Sequence, residues 1–214
     1  MRRITLFACA ALCAMTLVAG CARKPMPIME RPSGTLAVAG FTHPKYNWQL
    51  LAGYIPIQGA AVDDEIIAGL DAALEGTLSA HGVSGYISPL DTRKCQEIVT
   101  FQNEGERVSA LKYWTEVGRC AKADYLLVPQ VLSWHEREGQ EMGVTSPAGV
   151  TLDFYYIDVN AGTVAVRRQF DEVQSSLTED LGNAGKFFER GGKWITASQL
   201  AEEGIDVTLT EMGL

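Results

Sequence analysis

The chain reads as one α/β domain, α+β in the broader sense: a mixed sheet of about five strands with helices packed against it. Three observations predict this. Apolar runs of strand length recur, the strongest at residues 125–134 (YLLVPQVLSW). Capped stretches with apolar residues three and four apart lie between and after them. A length of 214 residues, 47% hydrophobic and 21% charged, allows one medium domain with a real core and excludes disorder.

Residues 35–41 (TLAVAGF) form a short apolar run, expected as a buried first strand. Residues 42–61 lack periodicity yet carry Tyr46, Trp48, Leu50, Leu51, Tyr54, Ile55 and Ile57, an unusually apolar loop. Asp63 is placed to cap a helix running to about His81, with Asp64 and Glu65 at the positive end of its dipole. Ile66, Ile67, Leu70, Leu74 and Leu78 share one face of it, and Gly82 ends it. Residues 84–88 are expected as a second strand. A helical stretch then begins at Asp91, breaks near Gly105 and resumes to about Ala123.

In the strand at 125–134, Pro129 asks for an edge position or a bulge. Val150, Leu152, Phe154 and Tyr156 alternate on one face of the next strand, which Asn160-Ala161-Gly162 turns into an antiparallel partner at 163–170. Ser176-x-x-Glu179 is a capping box before Leu177, Leu181, Ala184 and Phe188, with Gly191-Gly192 as the stop. Thr196-x-x-Gln199 is a second box, stapled by Ile195 and Leu200. Residues 175–214 are expected as a helical extension packing on the same domain.

The amino terminus carries an address. Arg2 and Arg3 precede an uncharged stretch, residues 4–18, too short for a spanning helix, which needs roughly 20 residues. It ends in Leu17-Val18-Ala19-Gly20-Cys21, which resembles a bacterial lipobox. The resemblance implies a signal peptide at 1–20, cleaved before Cys21, with diacylglycerol on its sulfur and a further acyl chain, palmitate being typical, on the new amino terminus. The competing account is an uncleaved short core helix. Two or more acyl chains anchor a protein stably. Ala22 stands where, by resemblance to enteric lipoproteins, an aspartate would signal inner-membrane retention. The expected location is therefore the inner leaflet of the outer membrane, facing the periplasm. Residues 21–34, with Pro25, Pro27 and Pro32, read as a tether reaching at most ~45 Å.

Cys9 and Cys13 belong to the signal and Cys21 to the anchor, so the domain keeps Cys95 and Cys120. In an oxidising compartment the pair is expected as a disulfide contributing about 3 kcal/mol in the chain-entropy model. Two buried free thiols remain the alternative.

Chemistry is sparse. His135 and Glu136 are adjacent, but no second histidine follows at zinc-helix spacing, and His43 and His81 are remote. There is no Gly-x-Ser-x-Gly elbow and no phosphate-loop pattern. The pairs Asp63-Asp64 and Glu202-Glu203 suit helix ends and solvated faces. No metal, cofactor or catalytic residue is expected. A net charge of −8 argues against nucleic acid and against a membrane held by a basic patch.

Ala123-Asp124-Tyr125-Leu126-Leu127-Val128, followed by a hairpin with Asp158 before its turn and Gly162 within it, forms a pattern over residues 35–172. It resembles the periplasmic α/β domains of the curli-secretion lipoprotein CsgG, the amino-terminal domain of TolB and the penicillin-binding-protein activator LpoB. Residues 35–174 are so delimited as a CsgG/TolB-like domain. The resemblance implies protein–protein contact in envelope assembly or secretion, through a scaffold or activator with an envelope protein partner and an open oligomeric state. Asp124 and Gly162 are expected in capping and turn roles. The transmembrane hairpins of the curli channel have no counterpart, since Asp153, Arg167 and Arg168 spoil a lipid-facing band.

Two function classes follow: an interaction module, or a periplasmic hydrolase or small-ligand binder using a pocket at the sheet's end. The expected partner surface is Tyr46, Trp48, Leu51, Tyr54 and Ile55; the competing account has this loop folding back as satellite core. For the anchor, Cys21→Ala should move the protein from the membrane to the soluble periplasmic fraction. Unchanged membrane association and unchanged mass would refute lipidation.

Overall fold

The computed structural model describes residues 29–31, 33–53, 62–175 and 184–214. The first strand, β1 (Leu36–Val38), is buried throughout because alternate residues enter two different cores: Leu36 and Val38 one, Ala37 the other. Helix α1 (Asp64–Ala80) starts where Asp63 accepts a 2.9 Å hydrogen bond from the Ile66 N–H, and buries Leu70, Leu74 and Leu78. Gly82, at φ +72°, lets the Val83 N–H turn back to the Leu78 carbonyl and close the helix.

The expected strand at 84–88 does not form. Only Ile87 pairs, exchanging hydrogen bonds with Leu36 and Val38 of β1. Gly85 turns at φ +72° on one side, and on the other Ser88 is already the N-cap of α2 (Pro89–Gln102), so no length remains for a strand. Helix α3 (Ala110–Cys120) follows, capped by Ser109.

Strand β2 (Tyr125–His135) is followed by a two-stranded hairpin, β3 (Glu138–Gln140) and β4 (Gly143–Ser146). This hairpin is largely exposed and lacks the apolar alternation by which a strand is read from sequence. Strands β5 (Gly149–Asp158) and β6 (Thr163–Val173) form the long antiparallel pair expected. Their turn closes with the Gly162 N–H on the Asp158 carbonyl (2.8 Å), with Gly162 at φ +65°. Helix α4 (Ala184–Glu189) precedes α5 (Ala197–Glu211), whose start is the Thr196–Gln199 capping box. The Ser176–Glu179 box, with Leu177 and Leu181, lies outside the described residues.

The mixed sheet has four strands in the order β1-β2-β5-β6, with β1 and β2 parallel and the rest antiparallel. Helices cover both faces. Leu70, Leu74 and Leu78 of α1 and Leu200, Ile205 and Leu209 of α5 pack with Leu127, Leu152, Phe154 and Tyr156 on one. Cys95 and Val99 of α2 and Trp114 and Val117 of α3 pack with Leu126, Val128, Tyr155 and Ile157 on the other. At the strand entrance Asp124 accepts from the Thr35 N–H (2.9 Å) and from the Asn160 amide (3.2 Å), bonds that lower its carboxyl pKa.

Pro129 sits in a central strand, against the edge position its missing N–H asks for. The accommodation is made by the neighbouring chain. The Ala39 N–H reaches the Leu127 carbonyl (2.9 Å) and the Thr42 N–H reaches the Pro129 carbonyl (3.2 Å), so the β1 side carries one residue more. That bulge at Gly40-Phe41 faces the proline where its donor would have been. The Phe41 N–H turns to Asp71 Oδ1 instead (2.6 Å).

Gly204 marks the tightest approach of α5 to the sheet: a Cβ there would lie 2.4 Å from Phe170 Cδ1. Gly204→Ala should destabilise the fold by about 1–3 kcal/mol through overpacking. Gly69→Ala, whose Cβ meets nothing within 4 Å in α1, should stabilise by about 0.5–1 kcal/mol. Thermal melting of the two variants separates these outcomes.

Candidate functional site

After the bulge, residues 42–53 run across the second face of the sheet beyond the ends of α2 and α3. They are pinned to β2 at several points. The Val131 N–H donates to the Thr42 carbonyl (2.8 Å), His43 Nδ1–H donates to the Val131 carbonyl (3.0 Å), and Gln130 Nε2 donates to the Gln49 carbonyl (3.1 Å). A 3-10 turn, Asn47–Gln49, is closed by the Gln49 side chain, whose Oε1 accepts from the Lys45 and Tyr46 N–H groups. The loop's backbone needs are thus met locally, which frees its side chains for other work.

Tyr46 and Trp48 use that freedom. Their rings stack with centroids 5.9 Å apart and planes 8° from parallel, and they are 60% and 46% exposed. Leu51 and Ala52 turn inward and pack against the second core. The two accounts of this loop therefore divide it: Leu51 is a packing residue, whereas Tyr46 and Trp48 are surface groups. Tyr54 and Ile55 lie outside the described residues, as does Ile57.

Trp48 and Pro44 form one wall of a cleft of about 300 Å³; Val108, Tyr113 and Trp114, at and near α3, form the other. Its floor is Thr42 and Gln130. These two are paired in register, and Gln130 is in turn opposite Asp153 on β5, so the three span the sheet as one transverse row. Gln130 is 1% exposed and Asp153 is fully buried. Thr42 Oγ1, Gln130 Oε1 and Asp153 Oδ1 are all buried without a hydrogen-bond partner among the described residues. Such atoms are uncommon in a native fold because each costs desolvation with nothing in return.

Asp153 is otherwise well held. Its Oδ2 accepts from Tyr155 Oη (2.7 Å) and pairs with Arg167 Nη2 (2.8 Å). Burial, then the bond to Asp153, pushes the Tyr155 hydroxyl pKa up, so it stays a neutral donor. The guanidinium of Arg167 also lies over the Tyr155 ring, 5.8 Å from its centroid. Asp71 is raised mainly by burial, but its carboxylate is engaged by Phe41 and Arg93. Among the described residues no three His, Cys, Asp or Glu side chains converge as a metal site.

Sequence reasoning missed Thr42, Gln130 and Asp153 as a group. A signal was present: Gln130 and Asp153 are polar residues at core-facing positions of two strongly apolar strands. Cys95 on α2 and Cys120 at the end of α3 are brought together, with sulfurs at bonding distance and α-carbons 5.6 Å apart. Cys21 lies outside the described residues, among which no helix is long and apolar enough to cross a membrane.

No protein-family model matches the chain, and no curated protein matches it. Several solved structures are similar to it. The PelC dodecamer from Paraburkholderia phytofirmans matches at 16% identity and a TM-score of 0.47, over 89% of this chain and 94% of that one. Lipoprotein GNA1162 from Neisseria meningitidis matches at 13% identity and a TM-score of 0.40, over 75% and 96%. The LpoB C-terminal domain from Escherichia coli matches at 14% identity and a TM-score of 0.37, over 66% and 83%. Likeness at this level assigns neither family nor activity.

The Asp153 cluster should behave as one unit. Asp153→Asn should cost about 2 kcal/mol or more by unpairing Arg167, and Tyr155→Phe about 1 kcal/mol. Urea unfolding of the double variant should show less than the sum, because Asp153→Asn already takes the charge from the Tyr155–Asp153 bond that Tyr155→Phe removes.

Proposed function

We propose that this chain is a lipid-anchored protein of the bacterial cell envelope, facing the periplasm, that acts as an interaction module: a scaffold or activator for envelope assembly or secretion. The reading places a signal peptide at 1–20, a lipidated Cys21 and tether at 21–34, an interaction domain of the CsgG/TolB type at 35–174, and a helical extension at 175–214. Its seat is the inner leaflet of the outer membrane. The observation that carries the interaction role is the stacked Tyr46–Trp48 pair. Two large aromatics stand exposed side by side on a loop that the sheet holds in place, at the rim of a cleft. Rigid aromatic anchors of this kind dominate binding energy because they lose little entropy when a partner covers them. Enzymatic use of the cleft finds less support: among the described residues Thr42 and His43 both line it but share no hydrogen bond, and Glu106 is its one carboxylate.

Placing a photo-cross-linking amino acid at position 48 in cells tests this. A discrete adduct is expected, identical in mass from one preparation to the next, lost in Tyr46→Ala and absent with the cross-linker at exposed Gly69. Tyr46→Ala should leave the melting temperature within about a degree, as surface changes usually do. An adduct equally strong from position 69, or none from 48, would overturn the proposal.

Cys95–Cys120 is proposed as a disulfide clamping α2 to α3 in the exported protein. Non-reducing peptide mapping should return the linked pair, and two alkylatable thiols after denaturation would refute it.

A further inference from the structure

We propose that the cleft beside Trp48 is a receptor for an arginine side chain presented by the partner polypeptide, an inference that rests on the interaction role above. The floor supplies what a guanidinium lacks. Among the described residues Gln130 Oε1 is a buried acceptor without a donor, and its direction is fixed because the amide nitrogen of the same group is already committed to the Gln49 carbonyl. Thr42 Oγ1, paired beside it in the sheet, is equally unengaged. A guanidinium carries five N–H donors in one plane and no acceptor, so it can serve both atoms at once.

The walls fit the rest of the side chain. Trp48, Pro44 and Val108 offer apolar surface to the aliphatic stem, and the Trp48 ring offers a face on which a flat cation stacks. The charge has the right sign. Glu106 lines the cleft, no lysine or arginine does so among the described residues, and the chain as a whole carries −8. A bridging water is the competing occupant of the floor, for it too supplies donors to two orphaned oxygens. Water would neither use the aromatic wall nor require Glu106.

The test uses the exported full chain in detergent, isotope-labelled, titrated with two acetylated and amidated tripeptides, Gly-Arg-Gly and Gly-citrulline-Gly. Citrulline keeps the stem and the planar head but loses the charge and one donor group. The arginine peptide should give saturable shifts of the Trp48 indole and Gln130 side-chain amide resonances, and the citrulline peptide should bind at least about tenfold more weakly. Thr42→Val, which keeps the shape of the side chain, and Glu106→Gln should each weaken the arginine peptide by about fivefold. Glu106→Gln should melt as the parent does and Thr42→Val no lower, since it removes an unpartnered buried oxygen. Equal binding of the two peptides would overturn the proposal. So would the absence of saturable shifts, leaving a bridging water only, or an unchanged affinity in both variants. Were the cross-link from position 48 to form while the arginine peptide failed, the interaction role would stand and the arginine receptor would fall; loss of both would remove both.

Discussion

A proline in the middle of a sheet leaves a carbonyl opposite it with no donor, and the chain beside it must give way. In this protein the proline is Pro129, in β2, which has neighbours on both sides. The relief comes from the chain just after β1, which bulges at Gly40-Phe41 and rejoins the ladder at Thr42. Three things depend on that extra residue. It turns the Phe41 N–H out of the sheet to Asp71 on α1, fixing the helix against the strand end. It sends the Phe41 ring into the first core, edge-on to Phe154 at 5.7 Å. And it aims Thr42, with the loop behind it, at the second face.

Placement of that loop explains why the second face is polar at one end. Helices α2 and α3 cover Leu126, Val128, Tyr155 and Ile157, whose apolar side chains need a helix over them. Further along the same strands the residues become Gln130 and Asp153, and the cover is a loop with carbonyls to offer. Gln130 meets the Gln49 carbonyl, and Tyr155 Oη lies 3.3 Å from that of Ala52. Polar residues under a polar backbone are a consistent solution, because a burying surface that can hydrogen-bond removes much of the cost of desolvation. Among the described residues it leaves three oxygen atoms of one transverse row without a donor. Where a core is otherwise tightly packed, an unfilled set of acceptors next to a cleft marks where an incoming donor does the most good.

Much of the architecture was legible in the residues. The Asp63 and Thr196 caps, the Gly82 stop, the alternation from Val150 to Tyr156 and the Asp158–Gly162 turn all act locally, and each appears where the sequence puts it. What failed to show is non-local. Residues 84–88 have strand composition, but whether they pair is decided by how little length Gly85 and Ser88 leave them. The β3–β4 hairpin has no buried face to impose a pattern. Pro129 announced a disturbance correctly; that the neighbour would absorb it depended on a glycine eighty-nine positions earlier. The row of Thr42, Gln130 and Asp153 depends on register, which joins residues from two strands and from the segment after β1 and leaves no mark in any one of them. Trp48 was readable as a large aromatic in an irregular segment, but the division of that loop into inward Leu51 and outward Trp48 was not.

The two faces of the sheet consequently do different work. On the first, two long helices bury a set of aliphatic and aromatic side chains, and Gly204 permits α5 to approach Phe170 so closely that an added Cβ would meet its ring. Packing of that density tolerates little change. On the second, α2 and α3 stop short, and what lies beyond them is held by hydrogen bonds between a loop and one strand. Bonds of that kind fix position without filling volume, so they can present a stacked aromatic pair and an open cleft without drawing on the first core for either. A partner that covers Trp48 and supplies donors to the Thr42–Gln130 floor would complete the burial that the helices leave unfinished. This end of the sheet is one place where folding alone leaves oxygens without donors among the described residues, and binding there would continue the same chemistry.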